Sequence, residues 1–183
     1  RSPPSASARA PNPVAMSEAC LPLSPDFGYV IIAAGFICME ALFMGASVMG
    51  LRKKFFDSEG FKQAMKDSGM LDEHKEAFPA YPDGPTLGYP DMGCGRYAAL
   101  LPYAQWVEFN NAQRAHANML ESLAGVLIML VLSGIRTPRI SAVCGFIWFT
   151  ARALYAQGYK GPKGAKGREV GAIMGALSFL VLF

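Results

Sequence analysis

Charge is scarce in this chain. Asp, Glu, Lys and Arg make up 17% of its 183 residues, against roughly 25% in an average soluble domain. Hydrophobic residues reach 52% and the mean hydropathy is +0.23, the composition of an integral membrane protein. Histidine is scarcer still. His74 and His116 stand far apart, and Cys20, Cys38, Cys94 and Cys144 contain no C-x-x-C pair. Neither a metal site nor a disulfide framework is therefore expected. The net charge of +3 is not gathered into a basic, aromatic-interleaved patch, which removes nucleic acid from the expected partners. Residues 1–25 are rich in Pro, Ser and Ala, with no acid before Glu18 and no apolar core of a secretory signal. They read as a transit-peptide remnant or disordered leader, or as a translated leader ahead of a start at Met16.

Long apolar runs are present instead. Four candidate spans cover about residues 27–51, 109–134, 140–158 and 169–183. The first is long enough to cross a hydrocarbon core of about 30 Å with some tilt. The apolar part of the last, residues 170–183, reaches only roughly 21 Å at 1.5 Å per residue. The expectation is an all-α integral membrane domain over residues 26–183, a four-helix bundle of up-down, left-handed course. Residues 52–105 interrupt it with seven Lys/Arg and eight Asp/Glu. A short amphipathic helix is expected within residues 58–75 and irregular chain over 78–95, where Pro, Gly and Tyr are dense. So long a connection caps a site, meets a partner or is a solvated insertion. Glycines 158, 161, 164 and 167 interleave with Lys160, Lys163, Lys166 and Arg168. That run is too short for a collagen helix and not in Walker A order, so a flexible basic hairpin is expected. Seven Lys/Arg in the first loop and four in the third, against two each in the amino-terminal tail and second loop, place loops one and three on the cytosolic, stromal or matrix side.

The most informative segment is the junction of residues 109–132, where polar residues open an apolar helix. With Arg114 at zero and 100° per residue, Asn118 falls at about +40°, Glu121 at about −20°, Asn110 at about −40° and Asn111 at about +60°. Five polar side chains thus share roughly one quadrant. Set against lipid they would cost several kcal/mol, so they are expected to face a bundle interior or a water-filled cleft. Arg152, Tyr155 and Tyr159 lie at i, i+3 and i+7, also on one face. Glu40 is the lone acid of the first span and needs a partner. Ala41 with Gly45, and Ala46 with Gly50, suit close helix approach.

Arg114-Ala-His-Ala-Asn118-Met-Leu-Glu121 resembles the signature of the MAPEG family, the membrane-associated proteins of eicosanoid and glutathione metabolism. The Phe-Asn-x-x-Gln-Arg-Ala-His form of residues 109–116 looks most like its microsomal glutathione S-transferase 3 branch. Arg52-Lys53-Lys54, Pro138-Arg139-Ile140 and Ala153-Leu-Tyr155-Ala-Gln-Gly-Tyr159 match in order. The resemblance implies a homotrimer of four-helix bundles with glutathione between neighbouring subunits. It implies Arg114, Asn118 and Glu121 as glutathione ligands, joined by Tyr155 and Tyr159 and by Arg52 or Lys53. Glutathione offers two carboxylates for cationic forks and an ammonium for Glu121. Arg168, or alternatively Lys166, is implied as the cation that stabilises the thiolate. Ser122 stands where some leukotriene-forming members carry tyrosine, which argues against leukotriene synthesis.

The leading expectation is a membrane-bound glutathione transferase or peroxidase acting on lipophilic electrophiles or lipid hydroperoxides, without a metal, in the endoplasmic reticulum or an organellar membrane. Its partners are membrane lipid and glutathione. The competing expectation is a catalytically silent accessory subunit bound to heterologous membrane subunits. A transporter or channel has no support, because no repeat or broken helix recurs in matched halves.

Overall fold

The structure, a computed structural model, describes residues 23–182. Its regular elements are α1 (Phe27–Phe56), α2 (Glu59–Asp67), α3 (Met70–Ala77), α4 (Tyr103–Arg136), α5 (Pro138–Lys160) and α6 (Glu169–Val181), with 3-10 turns at Thr86–Gly88, Ala98–Leu100 and Gly164–Arg168. The leader expected at the amino end lies, up to residue 22, outside the described residues.

The long helices run beyond the limits that hydropathy marks. α1 continues through Arg52, Lys53 and Lys54 to Phe56. α4 starts at Tyr103, ahead of the expected Phe109, with Pro102 fixing the entry. Between α4 and α5 only Thr137 intervenes. Pro138 cannot continue α4 but suits the first position of α5, so one residue reverses the chain. α1, α4 and α5 all touch one another, whereas α6 packs on α5. Their shared core is built by Val30, Ala33 and Ile37 of α1, Met119, Val126 and Leu130 of α4, and Ala142 and Trp148 of α5.

Much apolar surface faces outward. α1 and α4 are long and apolar enough to cross a membrane, yet only 28% and 22% of their most apolar stretches are buried. Ile31, Ile32, Leu42 and Phe43 of α1 and Val170, Ile173, Leu177 and Leu180 of α6 are at least half exposed. A water-soluble helix would hide such residues; here they leave apolar surface open, consistent with a membrane protein. The 13 residues of α6 cover roughly 20 Å.

The 52–105 connection is a folded cap. Ser58 opens α2, its Oγ accepting from the Phe61 N–H at 3.2 Å. Phe61 and Met65, one turn apart, then bury against α1 and α4. Phe56 makes edge contacts with Phe61 and Phe109, with centroids 5.0 and 5.1 Å away. The stretch over 78–95 is irregular in backbone, as expected, but it is held by two charged side chains. Asp91 accepts from the backbone N–H of Gly93 and Gly95 at Oδ1 and of Ala98 at Oδ2, at 2.7–2.9 Å. Arg52 is almost fully buried and donates to the carbonyls of Leu87 and Asp91. Its guanidinium stacks 4.1 Å from the Tyr89 ring centroid.

Candidate functional site

One turn of α5 separates Arg152 from Tyr155 and another separates Tyr155 from Tyr159, so the helix stacks the three on one face. All three are buried. The Arg152 guanidinium lies 4.3 Å from the Tyr155 centroid and 5.5 Å from that of Trp148. The two tyrosine rings meet edge to face at 5.3 Å. Arg168 then reaches the far end of the stack. Its guanidinium donates to the Tyr159 hydroxyl and lies 5.3 Å from that ring.

What returns Arg168 to α5 is the glycine-rich turn. A Cβ on Gly158 would stand 2.2 Å from the Gly167 carbonyl oxygen, and one on Gly167 would stand 2.3 Å from that of Gly158. Backbone meets backbone there, and neither position has room for a methyl group. A Cβ on Gly171 would likewise lie 2.5 Å from the Ala151 carbonyl oxygen and the Tyr155 nitrogen, so α6 approaches α5 beside the tyrosines. The expected flexible hairpin is thus an ordered 3-10 turn clamped by a glycine pair.

A cleft of about 410 Å³ opens between α4, α5 and α6, with Glu121, Ser122, Trp148 and Arg152 in its wall. Arg152 is 9% exposed, and its Nε and Nη2 have no hydrogen-bond partner. Such buried donors are costly unless something accepts from them. Glu40 of α1 and Glu121 of α4 are the carboxylates within electrostatic range of Arg152, and Glu40 also keeps one unpartnered buried oxygen.

The polar quadrant of α4 does not act as one unit. Asn110 is tied to the cap, donating to the carbonyls of Gly93 and Trp106. Asn111 lines a separate hollow near Lys54 and Lys160. Arg114 and Glu121 are exposed, and half-buried Asn118 donates to the Arg114 carbonyl at 2.7 Å. The expected bundle interior or water-filled cleft does not take all five within a single chain. Glu121 is the one among them that lines the cleft. Arg52 is directed into the cap, Lys53 is on the surface, and neither approaches the tyrosines. Lys166 shares the turn with Arg168, but it is Arg168 that touches Tyr159. Arg152 was visible in the sequence only through its spacing from the tyrosines, and Asp91 carried no signal at all.

The MAPEG family model matches residues 30–183, a range that holds every residue of this cleft. The chain belongs to the MAPEG family. MAPEG proteins use glutathione as a substrate, and the family together with the outward apolar helices is consistent with a membrane protein. The chain is also similar to the uncharacterized protein sll1147 of Synechocystis, 41% identical over 76 residues, which are 41% of this chain and 54% of that protein. It thus spans about half the length of the curated relative it matches. Among the described residues no cluster of His, Cys, Asp and Glu is suited to a metal ion.

Proposed function

We propose that this MAPEG chain is a membrane-bound glutathione transferase or peroxidase that acts on lipophilic electrophiles or lipid hydroperoxides, nearest in kind to the microsomal glutathione S-transferase 3 branch. The observation that carries the reading is the buried, unpartnered Arg152 fork in a cleft shared with Glu121, at the end of a stack that runs along α5 through Tyr155 and Tyr159 to Arg168. A carboxylate of glutathione answers the fork, and its ammonium answers Glu121. Arg114 and Asn118, on the outer face of α4, and Lys53, at the end of α1 away from the tyrosines, take the other end of the tripeptide or the same site in a neighbouring copy. Arg52 serves the cap first.

A free thiol of pKa about 8.5 is only about 3% ionised at pH 7. Arg168 stands at the amino end of α6, where its own charge and the helix dipole both favour a thiolate. The thiolate sulfur then attacks an electrophilic carbon, forming the S–C bond while the leaving group departs with its electron pair. Lipophilic substrate enters sideways from the bilayer, so catalysis rests on positioning and on activating the bound nucleophile. The reading includes a homotrimer of four-helix bundles, with loops one and three facing the cytosol, stroma or matrix.

The test is calorimetric glutathione binding to the protein in detergent, with ultraviolet detection of thiolate and conjugation of a dinitrohalobenzene. Absence of binding by a folded protein overturns the proposal. Arg114→Ala and Arg152→Ala should each weaken binding by at least about tenfold. Arg168→Ala should spare binding and lower the thiolate fraction. The folded cap, with Phe78 and Met92 about 60% exposed, favours one second reading, a silent accessory subunit. It predicts co-purifying heterologous subunits, and a solitary, fully active assembly counts against it.

A further inference from the structure

A second concavity runs along another face of the fold. Two hollows of about 720 and 540 Å³ share Ser47 of α1 and Lys160 of α5, and so form one continuous groove. Phe149, Ala153, Ala156 and Lys160 lie about a quarter turn round α5 from Trp148 and Arg152, so this groove is distinct from the cleft described above. Tyr159 and Glu40 are the residues described with that site that also stand in this groove's wall.

The groove has two chemically different ends. Around the wider end stand Lys54, Asn111, Tyr159 and Lys160. Lys54 pairs with Glu108 at 3.2 Å, while Lys160 is exposed and has no partner among the described residues. Two lysines against one glutamate leave one net positive charge. The other end is walled by Phe36, Met39, Phe43, Phe149, Ala153 and Ala156. Phe36 closes it, with its ring centroid 5.8 Å from Phe146 and 5.7 Å from Phe149. Glu40 and Gln157 are polar members of this wall, and Arg152 lies within electrostatic range of Glu40.

The dimensions identify the occupant. From Ser47 down to Phe36 on α1, and from Lys160 down to Phe149 on α5, the walls each descend eleven residues (47 − 36 and 160 − 149), or roughly 16 Å. One leaflet contributes about half of a hydrocarbon core of about 30 Å. Lys160 therefore sits at headgroup level when the phenylalanines sit near the bilayer midplane, and Lys54, seven residues beyond Ser47 on α1, stands roughly 10 Å further out. The combined volume is ample for a ligand site, which typically measures about 300–1,000 Å³. We propose that this groove holds one anionic phospholipid from the surrounding leaflet, its phosphate between Lys160 and Lys54 and one acyl chain laid between α1 and α5 down to Phe36. The net positive end selects a headgroup with net negative charge, which a zwitterionic lipid lacks.

The experiment uses the full chain in nanodiscs of equal parts phosphatidylglycerol and phosphatidylcholine, with retained lipid counted by native mass spectrometry after release. The chain should keep one phosphatidylglycerol, favoured over phosphatidylcholine by about fivefold, the scale expected for one net interfacial positive charge. The double variant K54Q/K160Q should lose that preference. Ala156→Leu, which fills the acyl end, should lower retention of both lipids, and Ala153→Leu serves where Ala156→Leu lacks native helicity. The control K62Q/K66Q, on the surface of α2, should change nothing. Equal retention of the two lipids overturns the proposal. A K62Q/K66Q loss as large as that of K54Q/K160Q does so too, since it marks a general surface potential, as does displacement of the lipid by inorganic phosphate alone.

Discussion

Arg168 reaches Tyr159 because Gly158 and Gly167 let two backbone strands touch. Gly158→Ala must push the turn away, since its methyl would fall 2.2 Å from a carbonyl oxygen and backbone cannot yield as a flexible side chain can. The overpacking cost is about 1–3 kcal/mol. Gly35 is a useful contrast, being helical with nothing within 4 Å of an added Cβ. Gly35→Ala should be neutral or stabilise by about 0.5–1 kcal/mol. Unfolding midpoints in detergent will separate the two, and Gly158→Ala should also lower thiolate formation by detaching Arg168. Equal midpoints would show that the turn relaxes freely. At this scale the sequence was legible where periodicity governs: Arg152, Tyr155 and Tyr159 share a face simply by spacing. The meeting of Gly158 with Gly167 was not legible, because a glycine pattern reports permission to bend and says nothing of which backbone it will touch.

Among elements, the cap and α4 depended most on contacts distant in sequence. Asp91 replaces a regular helix start or strand pairing as the organiser of residues 93–98, and Arg52 joins that loop to α1. Asp91→Ala would strand three N–H donors, each costing about 1–3 kcal/mol if left buried. The cap should then open while the long helices persist. Trypsin cleavage after Arg96 should accelerate by at least about tenfold without loss of far-ultraviolet helicity, whereas unchanged cleavage would mean that Asp91 is not the organiser. Arg52→Lys should also loosen the cap, since an ammonium cannot both stack on Tyr89 and fork to two carbonyls. The sequence showed the amphipathic start of this insertion, because Phe61 and Met65 recur at helical spacing. It could not show that Phe56, Phe61 and Phe109 meet, nor that Asn110 belongs to the cap, since a helical wheel gives a side chain's direction and not what lies there.

For the whole molecule, the open question is what covers the outer face of α4. Arg114 and Glu121 are exposed on a single chain, and neither forms an ion pair among the described residues. An arginine facing lipid costs about 2.5–3.5 kcal/mol at the centre of a span and less toward its end. Closed cyclic assembly offers a remedy without any new protein, since identical faces placed around one axis can shield each other's polar groups. Val170, Ile173, Leu177 and Leu180 of α6 are exposed, so apolar surface is available for the same contact. If three copies close around glutathione, the count by native mass spectrometry should be three, and added glutathione should stabilise that count against dilution. Arg114→Leu distinguishes a ligand role from simple exposure. Removing a lipid-facing charge would raise the unfolding midpoint and leave glutathione binding intact. Removing a ligand would abolish glutathione-dependent stabilisation while the unliganded midpoint stays level or rises. The proposed site requires the second pattern, and the first would assign Arg114 to the membrane surface and leave the Arg152 cleft as the only anchor for glutathione.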